Sequence, residues 1–537
     1  MKNMKKSTAI LLCALMVASV FSGCNQETNS SSGATSDSST TGSSTTESST
    51  AENTPVTLTG WGSSTFDGTT GIKSYSDQLS WKELEKKTGI HVDWTIVSNT
   101  NGNNTTQFGL MMASGELPDF FVGVNPMNLE EFGMKGALMP LEDLIASDIP
   151  SLQAAMDNDP TVKGGMTSAD GHIYFFPRIL GDVGTRCWAG WMIRQDWLDQ
   201  VGMEVPDSTD DLYNVLKAFK EEIGAEKPLT GDIKPIVWAF GVGSRGSGNN
   251  TDDMFLEDGE IKFGPTDPRY REALEYLNKL YNEGLLDPEW NGITTDQITT
   301  NIVTGMSGVD FGSFSGHLGT FNNLFTQDDG TAPLVAMKPL AGPDGTRAIQ
   351  GMHNSIDPSW AGAISISTEK AADVARLFEY TYGEYRYDMY FGVEGDTYTI
   401  VDGVPTYTEK VTTDKLGTMQ YINNYIFDLS LYPSDYPLEV YQSILTEEGK
   451  RGNQITTENC GNIKVPALRY TAEEIDRVNT LLRDINTYVD ENFAAFVNGQ
   501  KSFSEWESYM AGFDSLGLDE LLKIYNDSYQ RFLAAEG

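Results

Sequence analysis

The sequence predicts an α/β protein built as two lobes, and three observations lead there. Residues 56–124 alternate between strand-like and helix-like segments, a second alternation starts near Trp191, and the chain from Thr54 onward is too long for one small core. In the first series, residues 56–60 read as a strand and 76–88 as a helix. That helix carries Trp81 and Leu84 on its apolar side and has Gly89 to stop it. "IHVDWTI" then alternates with period two, placing Ile90, Val92, Trp94 and Ile96 on one face and His91 on the other. A helix over 105–114 carries Phe108, Met111 and Met112 and ends at Gly115, and "LPDFFVG" supplies a third strand. Strand, helix, strand, helix, strand is the order of a parallel sheet with helical crossovers.

The second lobe begins after "IYFFPR". Residues 191–193 read as a strand and "RQDWLDQVG" as a short helix closed by Gly202. From Ser208, the spacing of Leu212, Val215, Leu216 and Phe219 is the stripe of an amphipathic helix, and Ser208 with Asp211 approximates a capping box. "PIVWAFGVG" reads as a strand, "FLEDGEIKF" as a hairpin turning at Asp258-Gly259, and 267–283 as a helix. The last seventy or so residues carry two helical stripes, Ile475, Val478, Leu482, Ile485, Val489 and then Leu521, Ile524, Tyr525, Phe532. The expected organisation is a leader over 1–23, a linker over 24–53, a first lobe from 54–177 plus about 358–420, and a second from 178–357 plus about 421–537.

The leader opens with Lys2, Lys5 and Lys6, followed by an apolar run over 9–21 broken only by Ser19. That is a signal-peptide pattern, shorter than the roughly 20 apolar residues of a spanning helix. Ser22 and Gly23 then precede Cys24, an order that resembles a bacterial lipobox, with Phe21 where the pattern prefers Leu. The resemblance implies that the Cys24 thiol receives a diacylglyceryl group and holds the protein on the extracytoplasmic face of the cell membrane. Two acyl chains, at about 0.8 kcal/mol per buried methylene, anchor stably where one is marginal. The Ser/Thr-dominated tract over 25–53 cannot bury enough surface to fold and reads as a tether of roughly 30 Å root-mean-square span.

A formal net charge of −39 repels nucleic acid and anionic lipid, which argues against DNA or RNA as a partner. Of four cysteines, Cys13 lies in the leader and Cys24 is the anchor; whether Cys187 and Cys460 pair is open. "GVGSRG", 241–246, matches the dinucleotide fingerprint after a strand, but "SGNNTDD" follows where a helix is required, so it reads as a loop. His91, His172, His317 and His353 are scattered without metal-binding spacing, and no serine lies in a GxSxG elbow. With 76 acidic residues, a pair of glycosidase carboxylates has no diagnostic value in sequence. No cofactor, metal or catalysis is expected.

Aromatic residues carry more information. Trp81, Trp94, Trp197 and Trp506 fall on core-like stripes, whereas Trp61 ends the first strand, and Trp188, Trp238 and Trp360 flank Gly- and Ser-rich loops. Sugar rings offer flat C–H faces to aromatic rings, and their hydroxyls call for planar polar partners. Asp119, Arg178, Asp310 and Glu394 are the candidate partners.

"WKELEKKTGIHVDW", "LMMASGELPDFF", "IRQDWLDQVG", "PRYREALEYLNKLYNEGLLDPE", "YFGVEGDTY" and "EWESYMAGFDSLGLDELLKIYNDSYQRF" occur in that order. Together they resemble the family 1 extracellular solute-binding proteins, the maltose-binding-protein-like receptors of ABC importers, in their large lipoprotein branch. The resemblance implies a type II periplasmic-binding-protein-like fold, two lobes joined by hinge strands, acting as a monomer. It implies an oligosaccharide clamped between the lobes and handed to the ABC permease, without catalysis. By position it implies Trp61, Asp119, Trp360, Glu394 and Tyr398 at the ligand. Alginate-binding relatives carry a calcium loop where this chain has "KEEIGAEKPLTGDIKP", which lacks the oxygen-ligand spacing, so no calcium is expected there. The same fold binding a peptide or other polar solute, or a surface polysaccharide hydrolase, are the alternatives.

Overall fold

The computed structural model describes residues 55–64, 71–99, 103–245, 253–348, 354–428, 432–459 and 463–536. The leader, Cys24, the tether and Cys460 lie outside them. β1 (Val56–Ser64), β2 (Ile90–Ser98) and β3 (Phe120–Val124) pair in parallel through the helices Leu79–Thr88 and Asn103–Ser114, as the alternation predicts. Gly89 ends the first helix in the left-handed conformation, φ 70°, which only glycine adopts without cost. β4 (Phe176–Ile179) leads out of this sheet.

The second lobe centres on β5 (Ala189–Arg194), whose alternate residues face two apolar layers. Ala189, Trp191 and Ile193 enter one and Met192 the other. The helices Gln195–Val201 and Thr209–Ala218 follow, the latter with the Ser208/Asp211 capping box fully formed. "PIVWAFGVG" is not a strand. Pro235–Trp238 is a short helix with Pro235 in its first turn, wholly buried, and the chain turns immediately after. A continuous apolar run has no period to separate buried helix from buried strand. The glycines from 241 therefore follow a turn, and Arg245 is held by Asp253 at 2.9 Å. β6 (Met254–Glu257) and β7 (Glu260–Phe263) form the predicted hairpin, with Asp258 and Gly259 at φ 54° and 77°. β8 (Val309–Ser313) and β9 (Leu334–Ala336) flank β5 antiparallel.

β10 (Ile356–Ile364) returns to the first sheet between β3 and β4, completing the order β2-β1-β3-β10-β4. The hairpin β11 (Tyr398–Val401) and β12 (Val404–Tyr407) follows. Tyr421, Ile422, Ile426 and Phe427 are buried, and Gln78 Nε2 at the start of the first helix donates to Asn423 O at 2.7 Å.

The last helices touch both lobes. Ala472–Val497 packs on the second-lobe helix Pro268–Asn282 and on the first-lobe helix Pro126–Met134, and Leu518–Glu536 packs on β7 and on the first-lobe helix Pro160–Met166. Of the predicted stripe, Leu481 rather than Leu482 is the fully buried residue. Under these helices Glu130 and Arg469 are buried 3.5 Å apart, and Ser168 Oγ donates to Glu130 at 2.9 Å.

Candidate functional site

Three segments cross between the lobes and are stitched together. The first lies in the middle. Ile179 N–H donates to Ser434 O and Tyr436 N–H to Ile179 O, at 2.8 and 2.9 Å, while Leu180 N–H donates to Ser355 O at 2.7 Å. The crossing strands 178–180, 354–357 and 434–436 thus form one ribbon.

Polar and aromatic side chains converge on it. Arg178 Nη2 donates to Asp357 Oδ2 at 2.7 Å, and its guanidinium lies 5.1 Å from the Tyr436 ring centre. Burial works against the Arg178 charge, but the Asp357 carboxylate together with Tyr390 and Tyr436 holds the guanidinium pKa above its ordinary value. Asp357 Oδ1 accepts from Ser359 N–H at 2.9 Å. The register of β10 against β4 shifts between Ile356 and Ala361, and Ser359 and Trp360 sit half-buried in that irregularity, beyond the carboxyl end of β3. On the other side, the Tyr436 ring lies 6.5 Å from that of Tyr441, whose hydroxyl donates to Trp188 O at 3.1 Å. Trp188 is half-buried and packs against both cores. Asp435 faces Arg386 at 3.1 Å; burial raises its pKa, opposed by Arg386 and reinforced by Glu439.

Arg178, Trp188 and Trp360 are the predicted residues that the crossings bring together. The others lie elsewhere. Trp61 is 2% exposed, because β1 runs three residues past it to Ser64 and its ring packs 5.7 Å from Phe108 under the Asn103–Ser114 helix. Trp238 is equally buried in the second lobe, with Nε1 donating to Ser244 O at 2.9 Å and its ring edge-on to Phe311. Asp310 is wholly buried on β8 with His317 Nδ1 at 2.7 Å; burial raises its pKa, His317 only partly offsetting this. Glu394 is exposed, and Tyr398 packs on Phe391 at the base of the β11–β12 hairpin. This hairpin is a layer away from the ribbon, since Tyr407 Oη donates to Tyr390 O and Tyr390 touches Tyr436.

Asp119 stands at the amino end of β3, the wrong edge of a parallel sheet for a ligand. Its carboxylate accepts from Thr59 N–H at 2.7 Å, Thr59 Oγ1 at 3.0 Å and Thr368 Oγ1 at 2.6 Å. Burial pushes its pKa up, but these bonds and Lys370 hold it below the usual range. Asp119→Ala is expected to lower unfolding free energy by about 1–3 kcal/mol while leaving ligand affinity unchanged, as urea titration and calorimetry would show.

Sequence reasoning missed Asp357, Ser359, Tyr436 and Tyr441. "DPSW" and "YPSDYP" carry mixed aromatic, acidic and proline character without periodicity, the one signal that could have found them. In the loop expected to lack calcium, Lys227 Nζ bridges Asp287 and Glu289, 3.1 Å from each. Among the described residues no group of three or more His, Cys, Asp or Glu is arranged to hold a metal. Cys187 is buried, and Cys460, whose pairing with it the sequence leaves open, lies outside the described residues. No described helix is long and apolar enough to cross a membrane.

No family model matches the chain. It is 26% identical over 513 residues to the fructooligosaccharide ABC transporter substrate-binding protein FusA of Streptococcus pneumoniae serotype 4, covering 85% of this chain and 88% of that one. It is 27% identical over 477 residues to the lipoprotein LipO of Bacillus subtilis strain 168, covering 84% and 88%. Among solved structures, an HMO-binding, ABC-transporter-associated solute-binding protein from Bifidobacterium longum infantis superposes with a TM-score of 0.72 at 19% identity, over 89% of this chain and 99% of that one. The fold is that of the solute-binding proteins, as the sequence resemblance implied.

Proposed function

We propose that this chain, a homologue of ABC-transporter substrate-binding proteins with their two-lobed fold, captures an oligosaccharide outside the cell and delivers it to an ABC permease. Cys24 carries the lipid anchor, the Ser/Thr tract gives the lobes reach, and the protein performs no catalysis. One observation carries the reading: the ribbon of three crossings carries the buried Arg178–Asp357 pair, with half-buried Trp360 following Asp357 in β10 and half-buried Trp188 linked to Tyr436 through Tyr441. A sugar touching both lobes stabilises the closed arrangement relative to the open one through its differential contacts. Trp188, Trp360, Ser359 and Arg178 are the residues assigned to it.

The expected result is a melting transition raised by a suitable oligosaccharide, by about 2.7 kcal/mol of stabilisation at a hundred times the dissociation constant. Trp360→Ala or Trp188→Ala should weaken binding roughly tenfold or more by removing an aromatic face. The absence of both a melting shift and calorimetric heat across neutral and acidic oligosaccharides would refute the proposal.

A further inference from the structure

Resting on the oligosaccharide reading, we infer that the site selects neutral oligosaccharides and rejects those bearing uronic-acid carboxylates. A sugar carboxylate is recognised by a guanidinium or ammonium whose donors are not already committed to another acid. Around the crossings the described arginines are committed. Arg178 is held by Asp357 at 2.7 Å and Arg386 by Asp435 at 3.1 Å. Arg186, just past the first crossing, donates to the carbonyls of Leu180 and Gly181 at 2.7 and 3.0 Å and faces Asp159 at 3.4 Å. Glu439 adds a further negative charge near Asp435.

The local balance is therefore acidic, on a chain whose formal charge is already −39. A ligand carboxylate brought here meets Asp357, itself nearly inaccessible to screening ions with 3% of its side chain exposed. It finds no uncommitted cation in return among these three. Neutral hydroxyls meet the opposite situation. They bring no charge for the carboxylates to repel, and ring faces rest on Trp188 and Trp360, contacts that need no charge on the ligand.

The test is calorimetry on the mature chain with neutral trisaccharides, a fructo-oligosaccharide and a malto-oligosaccharide among them, against trigalacturonate, at low and high salt. Neutral binding that changes less than twofold between 50 and 500 mM NaCl, with trigalacturonate at least tenfold weaker, supports the inference. Trigalacturonate binding as tightly as the neutral sugars, or more tightly, overturns it and leaves the oligosaccharide reading standing. Silence from every sugar overturns both. Asp357→Asn, which relieves Arg178 of its counter-charge, should narrow the neutral-to-acidic ratio at least threefold. A folded variant with an unchanged ratio also overturns the inference, and the comparison on the unaltered chain decides if the variant does not fold.

Discussion

Arg178→Met is expected to lower the unfolding free energy by about 3–5 kcal/mol, among the largest effects of any single replacement in this chain. The change removes one partner of a buried pair and leaves the Asp357 carboxylate, 3% exposed, without its cation. It also removes the guanidinium from the Tyr436 ring. The double replacement Arg178→Met/Asp357→Leu should recover most of that loss, because two apolar groups need no desolvation and no pairing. A urea-denaturation cycle over the wild type, both single variants and the double variant reads the coupling directly. If Arg178→Met and the double variant are equally unstable, the pair is not what holds the crossings. Ligand binding should be lost in both, since Arg178 belongs to the proposed site.

The second large effect is a dependence of stability on pH centred on Glu130. Burial raises its pKa to about 7, against opposition from Arg469 and the hydrogen bond of Ser168, with Asp170 adding to the rise. In the unfolded chain the group titrates near its ordinary 4.5. Between these values the folded protein holds a proton that the unfolded chain has released. Stability therefore falls as pH rises from about 4.5 to about 7, and this contribution is flat above. The full excursion is about 3 kcal/mol. Glu130→Gln should remove that slope, so that urea midpoints at pH 5 and pH 7.5 converge relative to the wild type. Slopes that stay parallel would count against the burial argument. Because Glu130 lies on a first-lobe helix and Arg469 leads into the C-terminal helices, the same proton tunes a contact between regions that belong to different lobes.

The periodic parts of the molecule were legible in one dimension. Ile90, Val92, Trp94 and Ile96 form the inward or partly inward face of β2, and Ser208 with Asp211 makes the cap that their spacing suggested. Where the apolar run was unbroken, as in Ile236-Val237-Trp238, pattern carried no information, and a buried helix occupies the place of a strand. The site was harder. Trp188 and Trp360, claimed by no stripe, stand half-buried near the crossings, whereas Trp61 and Trp238 met the same criterion and are core. An aromatic ring beside a glycine-rich loop is as well suited to covering sheet as to facing a cleft, and only the third dimension separates the two. Asp357 and Tyr436 escaped for a different reason: their importance comes from pairing with Arg178, across 179 and 258 positions of sequence, and no local pattern encodes that meeting.

The helix Pro160–Met166 meets its cover from Phe532, almost the last residue of the chain; a side chain at Gly164 would come within 3.0 Å of that ring. A contact so distant in sequence costs loop-closure entropy before it returns stability, so this part of the first lobe closes late in folding.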